Sequence, residues 1–142
     1  MLKRFSNNKL TRYPHMSAEE GIIWGRFLTT YGKDYKRFDY DLRIGKGLTP
    51  EEDLPQIYKQ DYADLTKKRV DAVGYNNHDA TIFEVKQRAT ITAIGQILAY
   101  TDLFKQSYQQ YSVKEKIIVC ERVLPEDRQQ IEKQGIILLV LA

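Results

Sequence analysis

One β-hairpin is the feature that most constrains this sequence. Two segments rich in β-branched and aromatic residues flank the polar stretch Asn76-Asn77-His78-Asp79, which is typical of a turn. The two segments are Arg69 to Tyr75 and Ala80 to Arg88. With four residues in the turn, Asp71 faces Glu84 across the hairpin. The opposite face of both segments is apolar, as the packed side of a sheet requires.

The hairpin therefore predicts two carboxylates side by side. Directly opposite residues have Cβ atoms about 5 Å apart, and like charges there are destabilising unless something neutralises them. Lys86 lies two residues beyond Glu84 and projects from the same face. Carboxylate oxygens suit hard cations such as Mg²⁺ or Mn²⁺, so we expect a divalent-cation site. The alternative is an exposed cross-strand acidic pair that Lys86 and Arg88 relieve.

The remaining patterns predict a mixed α/β chain. A capping-box pattern at Ser17 begins a helix that ends at Gly32. Alternation of apolar and polar residues predicts a strand from Phe38 to Ile44, with Asp39 and Asp41 facing solvent. The later elements are a loop over 48–66 with a short helix around 54–62, the hairpin, a helix over 92–108, a strand over 116–123, a helix over 125–133 and a strand over 136–141. This order, αβββαβαβ, predicts an α/β (α+β) fold with a mixed central sheet flanked by helices.

Length and composition narrow the class of protein. The 142 residues fit one core, so we expect a single domain over residues 17–142 after an N-terminal arm over residues 1–16. The single cysteine, Cys120, excludes an internal disulfide and a cysteine-rich zinc site. No apolar run is long enough to span a bilayer, and we expect a soluble cytoplasmic protein with no membrane partner. The net charge of +3 is compatible with a polyanionic partner.

Asp71, twelve intervening residues and then Glu84-Val85-Lys86 form a pattern that resembles the PD-(D/E)xK nuclease superfamily. The resemblance spans most of the chain and implies a restriction-endonuclease-like fold. Val70 stands where the proline that names the family would be. The stretch Gln96-Ile-Leu-Ala-Tyr100 matches the QxxxY motif of the RecB-like and lambda-exonuclease-like branch. Its two polar residues are one helical turn apart and therefore share a helix face.

The resemblance also implies roles for individual residues. The carboxylates of Asp71 and Glu84 and the carbonyl of Val85 would hold Mg²⁺ or Mn²⁺, and Lys86 would activate the attacking water. Glu20 would complete the metal shell directly or through water. The remaining candidates are Glu19 as the fallback for Glu20, and Gln96 and Tyr100 as support for the site and contacts to the DNA; the alternative for Gln96 and Tyr100 is a surface amide and a packed aromatic ring on the helix. From their place in the sequence beside the acidic pair, Lys67, Lys68 and Arg88 are candidates for contacts to phosphates. The alternative for the two lysines is a solvated entrance to the strand. For Glu20 the alternative is a purely structural role as the partner of Ser17 in the capping box.

These features predict a metal-dependent deoxyribonuclease that hydrolyses phosphodiester bonds in phage or mobile-element DNA processing or recombination. Such a short chain suggests that substrate choice comes from homo-oligomerisation or from a partner DNA-processing protein. The alternative is a non-catalytic nucleic-acid-binding or structural protein that retains the nuclease fold. The sequence leaves open endonucleolytic or exonucleolytic action and a preference for DNA or RNA.

Overall fold

The computed structural model describes residues 4–6, 10, 12–47, 55–56, 59 and 67–142. The strands and helices follow one another in the predicted order, with one additional strand at the start. The strands are β1 (Arg4–Ser6), β2 (Arg37–Ile44), β3 (Lys68–Asn76), β4 (Asp79–Ala89), β5 (Ser112–Val123) and β6 (Ile137–Val140). The helices are α1 (Ala18–Tyr31), α2 (Thr92–Ser107) and α3 (Pro125–Lys133), and a 3₁₀ turn, Gly32–Asp34, follows α1.

The described strands form one mixed sheet in which the spatial order is the chain order, β1 to β6. The first four strands pair antiparallel, while β4 with β5 and β5 with β6 pair parallel. The helices α2 and α3 make the two crossovers that parallel pairing requires. The mixed sheet flanked by helices is therefore confirmed.

The core on the α1 side of the sheet is aromatic. Trp24 is fully buried, stacks on Phe27 with ring centroids 4.7 Å apart, and meets Phe83 of β4 edge-on at 5.0 Å. Its indole Nε1–H donates to the hydroxyl of Tyr40 at 3.0 Å, which satisfies the polar atom of a buried ring. This packing fixes α1 against the middle of the sheet.

The core on the opposite side is mainly aliphatic. Ile97 and Phe104 of α2 and Ile131 of α3 are fully buried there, against residues of all four central strands and of β6. Leu98, which the helical pattern would place among the buried residues, is 37% exposed. Both faces of the central strands are thus covered by helices.

The boundaries of α1 follow from local chemistry. The Ser17 hydroxyl accepts a hydrogen bond from the Glu20 N–H at 3.1 Å, and the Glu20 carboxylate accepts one from the Ser17 N–H at 3.0 Å. This reciprocal pair is the predicted capping box. At the other end, the Gly32 N–H donates to the carbonyl of Leu28. The predicted limits of α1 are confirmed.

Two predictions concern segments that the structure describes only in part. Strand β1 lies within the predicted arm, and Tyr13 and Met16 of the same segment are buried against α1. The division into an arm and a domain at Ser17 stays a prediction. The predicted loop over 48–66 and its short helix lie outside the described residues, apart from Pro55, Gln56 and Lys59. Among the helices that are described, none has the length and apolar character needed to cross a membrane.

Gly74 in β3 provides a test of the packing around β3 and β4. A Cβ atom there would lie 2.7 Å from a ring carbon of Tyr35, 3.0 Å from Phe38 and 3.1 Å from Phe83. We expect Gly74→Ala to lower the free energy of unfolding by about 1–3 kcal/mol, the usual cost of overpacking. Urea denaturation measures this change.

The matched control is Gly95→Ala in α2, where a Cβ atom meets nothing within 4 Å. Alanine is the better helix former by about 1 kcal/mol, so this variant should be equally stable or more stable. Equal stability of the wild type and Gly74→Ala would contradict the close packing.

Candidate active site

A fork in the sheet creates the site. Pairing between β3 and β4 runs from Asn76↔Asp79 to Ala72↔Phe83, which confirms the predicted register over those residues. Beyond Ala72, β3 continues beside β2 as far as Lys68, and β4 continues beside β5 as far as Ala89. The turn itself is shorter than the predicted four residues, because the strands extend to Asn76 and Asp79.

Asp71 lies at the first position beyond the last β3–β4 pair. Its Oδ2 accepts a hydrogen bond from the backbone N–H of Val85 at 2.8 Å. The Asp71 side chain thus makes the hydrogen bond that a backbone carbonyl would make in a regular ladder. Asp71 and Glu84 are therefore not a directly paired couple in the ladder, as a regular hairpin would predict, and the two strands are joined here by a side-chain hydrogen bond. This bond ties the carboxylate of one strand to the residue that follows Glu84 on the other.

Glu84 is 3% exposed, an uncommon environment for a carboxylate. Burial, followed by the charge of Asp71, raises the pKa of Glu84 well above its ordinary value. Burial also raises the pKa of Asp71, against the hydrogen bond from Val85 that lowers it. Lys86 Nζ lies 3.9 Å from Glu84 Oε2, and its charge lowers the pKa of both carboxyl groups. Burial therefore favours the neutral, protonated forms of the two carboxyl groups, and nearby positive charge favours the ionised forms.

Glu84 Oε1 is buried and has no hydrogen-bond partner among the described residues. A buried acceptor without a partner costs free energy that a cation or a donor from a ligand would recover. Two hard carboxylate oxygens match the needs of Mg²⁺, which binds through one or two carboxylates and keeps several waters. The described part of the chain holds no group of three or more acidic, histidine or cysteine side chains arranged as a metal shell. Asp71 and Glu84 can supply carboxylate oxygens to a cation that completes its shell with water.

Glu20 interacts with this site through its charge. One of its oxygens, Oε1, is engaged with the Ser17 N–H in the capping box. Even so, its charge raises the pKa of both Asp71 and Glu84, so the first turn of α1 faces the acidic pair. Glu19 is exposed on the same turn. The structure shows the capping role of Glu20, and its metal role stays a prediction.

Helix α2 brings Tyr100 within electrostatic range of the acidic pair. The charges of Glu84 and Asp71 raise the pKa of the Tyr100 hydroxyl, in addition to the larger effect of burial. Gln96 lies one turn earlier on α2, and its Oε1 is buried with no hydrogen-bond partner in the described part of the chain. An amide oxygen in this state is available to a ligand donor.

The predicted cations lie on the two arms of the fork. Lys68 is exposed at the outer end of β3, and Lys67 precedes it, half-buried. Arg88 is exposed on β4, four residues beyond Glu84. The acidic pair thus lies at the vertex, with positive charge along both arms.

Two aspartates of β2 are less exposed than the sequence pattern predicts. Asp39 was expected in solvent, but it is 1% exposed and accepts a hydrogen bond from the Tyr75 hydroxyl at 2.8 Å. Asp41 was also expected in solvent, but its side chain is only 20% exposed, 3.4 Å from Arg69 NH1 and 4.0 Å from His15 Nδ1. The expectation was wrong because alternation predicts exposure only when one face of the sheet is open, and here helices cover both. Asp41 has a positive φ of 52°, and no simple pattern in the sequence predicts this conformation.

Comparison with known proteins supports the fold alone. No protein-family model matches the chain, and no curated protein matches it. Among solved structures, the chain is similar to a repair endonuclease from Pyrococcus abyssi, with a TM-score of 0.52 and 18% sequence identity. The match covers 93% of this chain and 49% of that chain, so this chain spans about half the length of its neighbour. The chain has a restriction-endonuclease-like fold.

The buried acidic pair predicts a pH dependence of stability. Because the pKa of Glu84 is raised in the folded state, folded protein holds a proton that unfolded chain releases near its ordinary pKa. The free energy of unfolding should therefore fall as the pH rises from about 5 to 8. Glu84→Gln should remove at least about 1.4 kcal/mol of that fall, the equivalent of one pKa unit.

The measurement is urea denaturation in EDTA at several pH values. Glu132→Gln, a change of the same kind at a half-exposed position on α3, is the control and should follow the wild type. If the free energy of unfolding changes with pH in the same way in the wild type and in Glu84→Gln, burial does not raise the pKa of Glu84.

Proposed function

We propose that this protein is a metal-dependent nuclease that hydrolyses DNA phosphodiester bonds. The observation that carries the proposal is the acidic pair at the vertex of the fork, with an unpartnered buried oxygen on Glu84 and Lys86 beside it. Retaining two carboxylates in such a place is costly unless they bind something. The similarity to a repair endonuclease agrees with this proposal at the level of the fold.

The cation would be Mg²⁺ or Mn²⁺, held by Asp71 and Glu84 with the carbonyl of Val85, and joined by Glu20 directly or through water. When bound, it supplies charge that stabilises the phosphoryl oxygens and lowers the pKa of water. The hydrogen bond from Val85 to Asp71 orients the first carboxylate before any ligand arrives. Preorganisation of this kind lowers the free-energy cost of assembling the site.

We assign to Lys86 the role of acting on the attacking water. Its ammonium lies next to Glu84 and is 30% exposed, so it reaches both the acidic pair and an incoming phosphate. It would position or deprotonate the attacking water, or stabilise negative charge on the phosphate. Gln96 and Tyr100 would contact the DNA backbone or support the site from α2. Lys67, Lys68 and Arg88 would meet other phosphates along the arms.

Within this class we propose the RecB-like, lambda-exonuclease-like branch on the basis of Gln96 and Tyr100. Both residues lie on the helix that follows the Lys86 strand, and Tyr100 is within electrostatic range of the acidic pair. We also propose that oligomerisation or a partner DNA-processing protein in the cytoplasm selects the substrate. A role in phage or mobile-element DNA processing or recombination belongs to the same proposal.

One observation favours the second candidate, a non-catalytic nucleic-acid-binding protein with this fold. One oxygen of the Glu20 carboxylate, Oε1, is engaged in the capping box. Binding without hydrolysis would need only the basic arms of the fork. Activity assays separate the two candidates.

Linear, circular, single-stranded and double-stranded DNA are incubated with Mg²⁺ or Mn²⁺ in the first test. We expect the wild type to cut at least one of them and EDTA to abolish cutting, because the acidic pair needs a cation. Lys86→Ala should lower the rate by at least about a hundredfold, the usual contribution of an acid–base group. Lys114→Ala, which changes an exposed lysine at the start of β5, is the control. Equal cutting by Lys86→Ala and the wild type would reject the assigned site.

Thermal unfolding tests cation binding without any assay of activity. At a cation concentration one hundred times the dissociation constant, binding to the folded state adds about 2.7 kcal/mol of stability. We expect Mn²⁺ to raise the melting temperature of the wild type but not that of Asp71→Asn, which keeps the hydrogen-bond acceptor and removes the charge. Asp102→Asn, at an exposed carboxylate of α2, is the control. The same shift in all three proteins would exclude a site at Asp71.

A further inference from the structure

Two pairs of arginines lie side by side on the arms of the fork. On one arm Arg43 of β2 is the register partner of Arg69 of β3. On the other arm Arg88 of β4 is the register partner of Arg122 of β5. Neighbouring like charges in a sheet are destabilising unless an anion lies between or beside them.

The two pairs differ in how the protein neutralises them. Arg69 has its anion in the fold, since Asp41 Oδ2 lies 3.4 Å from its guanidinium. Arg88 has no ion-pair partner among the residues that the structure describes. Arg122 NH1 lies 3.6 Å from Glu121 Oε1, but that carboxylate is also 3.6 Å from Arg26 NH1. One glutamate thus serves two arginines, and the Arg88–Arg122 pair keeps an excess of positive charge.

A cavity of about 230 Å³ lies at this pair, lined by both arginines together with Val123 and Leu124. Leu124 is 51% exposed, so the cavity has an apolar wall that is open to solvent. Planar guanidinium groups bind phosphate oxygens through paired N–H donors, and an apolar wall suits the sugar next to a phosphate. The chemistry of the lining therefore matches a nucleic-acid backbone.

The position of the cavity relates it to the acidic pair. Lys86 and Arg88 lie two and four residues beyond Glu84 along β4. Arg88 lies about 6.6 Å beyond Lys86 along the strand, close to the rise of two nucleotides along a DNA strand, about 6.8 Å. A backbone that passes the acidic pair therefore meets the two arginines within a short distance.

We infer that Arg88 and Arg122 form a subsite for a backbone phosphate that lies within two linkages of the cleaved bond. This inference rests on the proposed nuclease function and adds Arg122 to the binding surface. The subsite fixes how the strand enters the fork, so both arginines are binding residues and not catalytic ones.

The experiment compares steady-state cleavage by the wild type, Arg122→Gln and Lys105→Gln, the last an exposed lysine at the far end of α2. Loss of a charge-assisted contact should raise the KM of Arg122→Gln roughly tenfold at low salt, while kcat changes little. The slope of log affinity against log salt should fall by about 0.9 on double-stranded DNA and about 0.7 on single strands. Lys105→Gln should show neither change, and identical values for the two variants would overturn the subsite.

Single uncharged methylphosphonate linkages then locate the phosphate. Placed one or two linkages from the cut, such a linkage should raise the KM of the wild type and leave that of Arg122→Gln unchanged, because the contact is already lost. Glu121→Gln, which removes the competing carboxylate, should lower the KM. Weaker binding by Glu121→Gln, or equal sensitivity of the wild type and Arg122→Gln to every modified linkage, would contradict the subsite.

Binding of the same strands in EDTA, measured by fluorescence anisotropy, distinguishes failure of the phosphate subsite from failure of the nuclease function. If the wild type cuts no DNA but binding still depends on Arg122, the nuclease function fails, and of the subsite only phosphate binding by Arg122 stands. If the wild type cuts DNA and neither cutting nor binding depends on Arg122, the subsite fails and the nuclease function stands.

Discussion

The hydrogen bond from the Val85 N–H to Asp71 is the interaction on which the site depends. At the fork, β4 leaves β3 and continues with β5, so the Val85 N–H no longer takes part in the β3–β4 ladder. A buried N–H needs an acceptor, and the Asp71 carboxylate supplies it at 2.8 Å. The same bond holds one acid next to the other. The hydrogen bond that satisfies the backbone N–H of Val85 is therefore also the one that positions Asp71 in the acidic pair.

The fork also explains the distribution of charge. Negative groups gather at the vertex, where burial raises the pKa of both Asp71 and Glu84. Positive groups follow the diverging strands, where Lys68 and Arg88 are exposed and Arg69 is paired with Asp41. A polyanion that lies along the arms meets long-range attraction first and the acidic pair last. Function in this reading follows from the separation of two strands and not from any single side chain.

Local sequence predicted a large part of this structure. The capping box of Ser17 and Glu20, the register of the hairpin over Ala72 to Asn76, and the parallel strands β5 and β6 all agree with the prediction. Each depends on neighbours in the chain or on strict periodicity. The burial of Asp39 was not predicted, because it depends on helices that cover both faces of β2. The pairing of Arg88 with Arg122 joins two strands that a helix separates in sequence.

The sequence alone determined the candidate residues for the proposed chemistry: an acid, a second acid and a lysine at spacings that one hairpin brings together. It also determined the order of the described helices and strands other than β1, since capping and periodicity are local properties. Only the tertiary structure decided where β3 and β4 separate, that Glu84 is buried and that an oxygen of its carboxylate has no partner in the described chain. The reason is physical: burial and strand separation depend on distant elements that compete for the same surfaces, and no short segment encodes that competition.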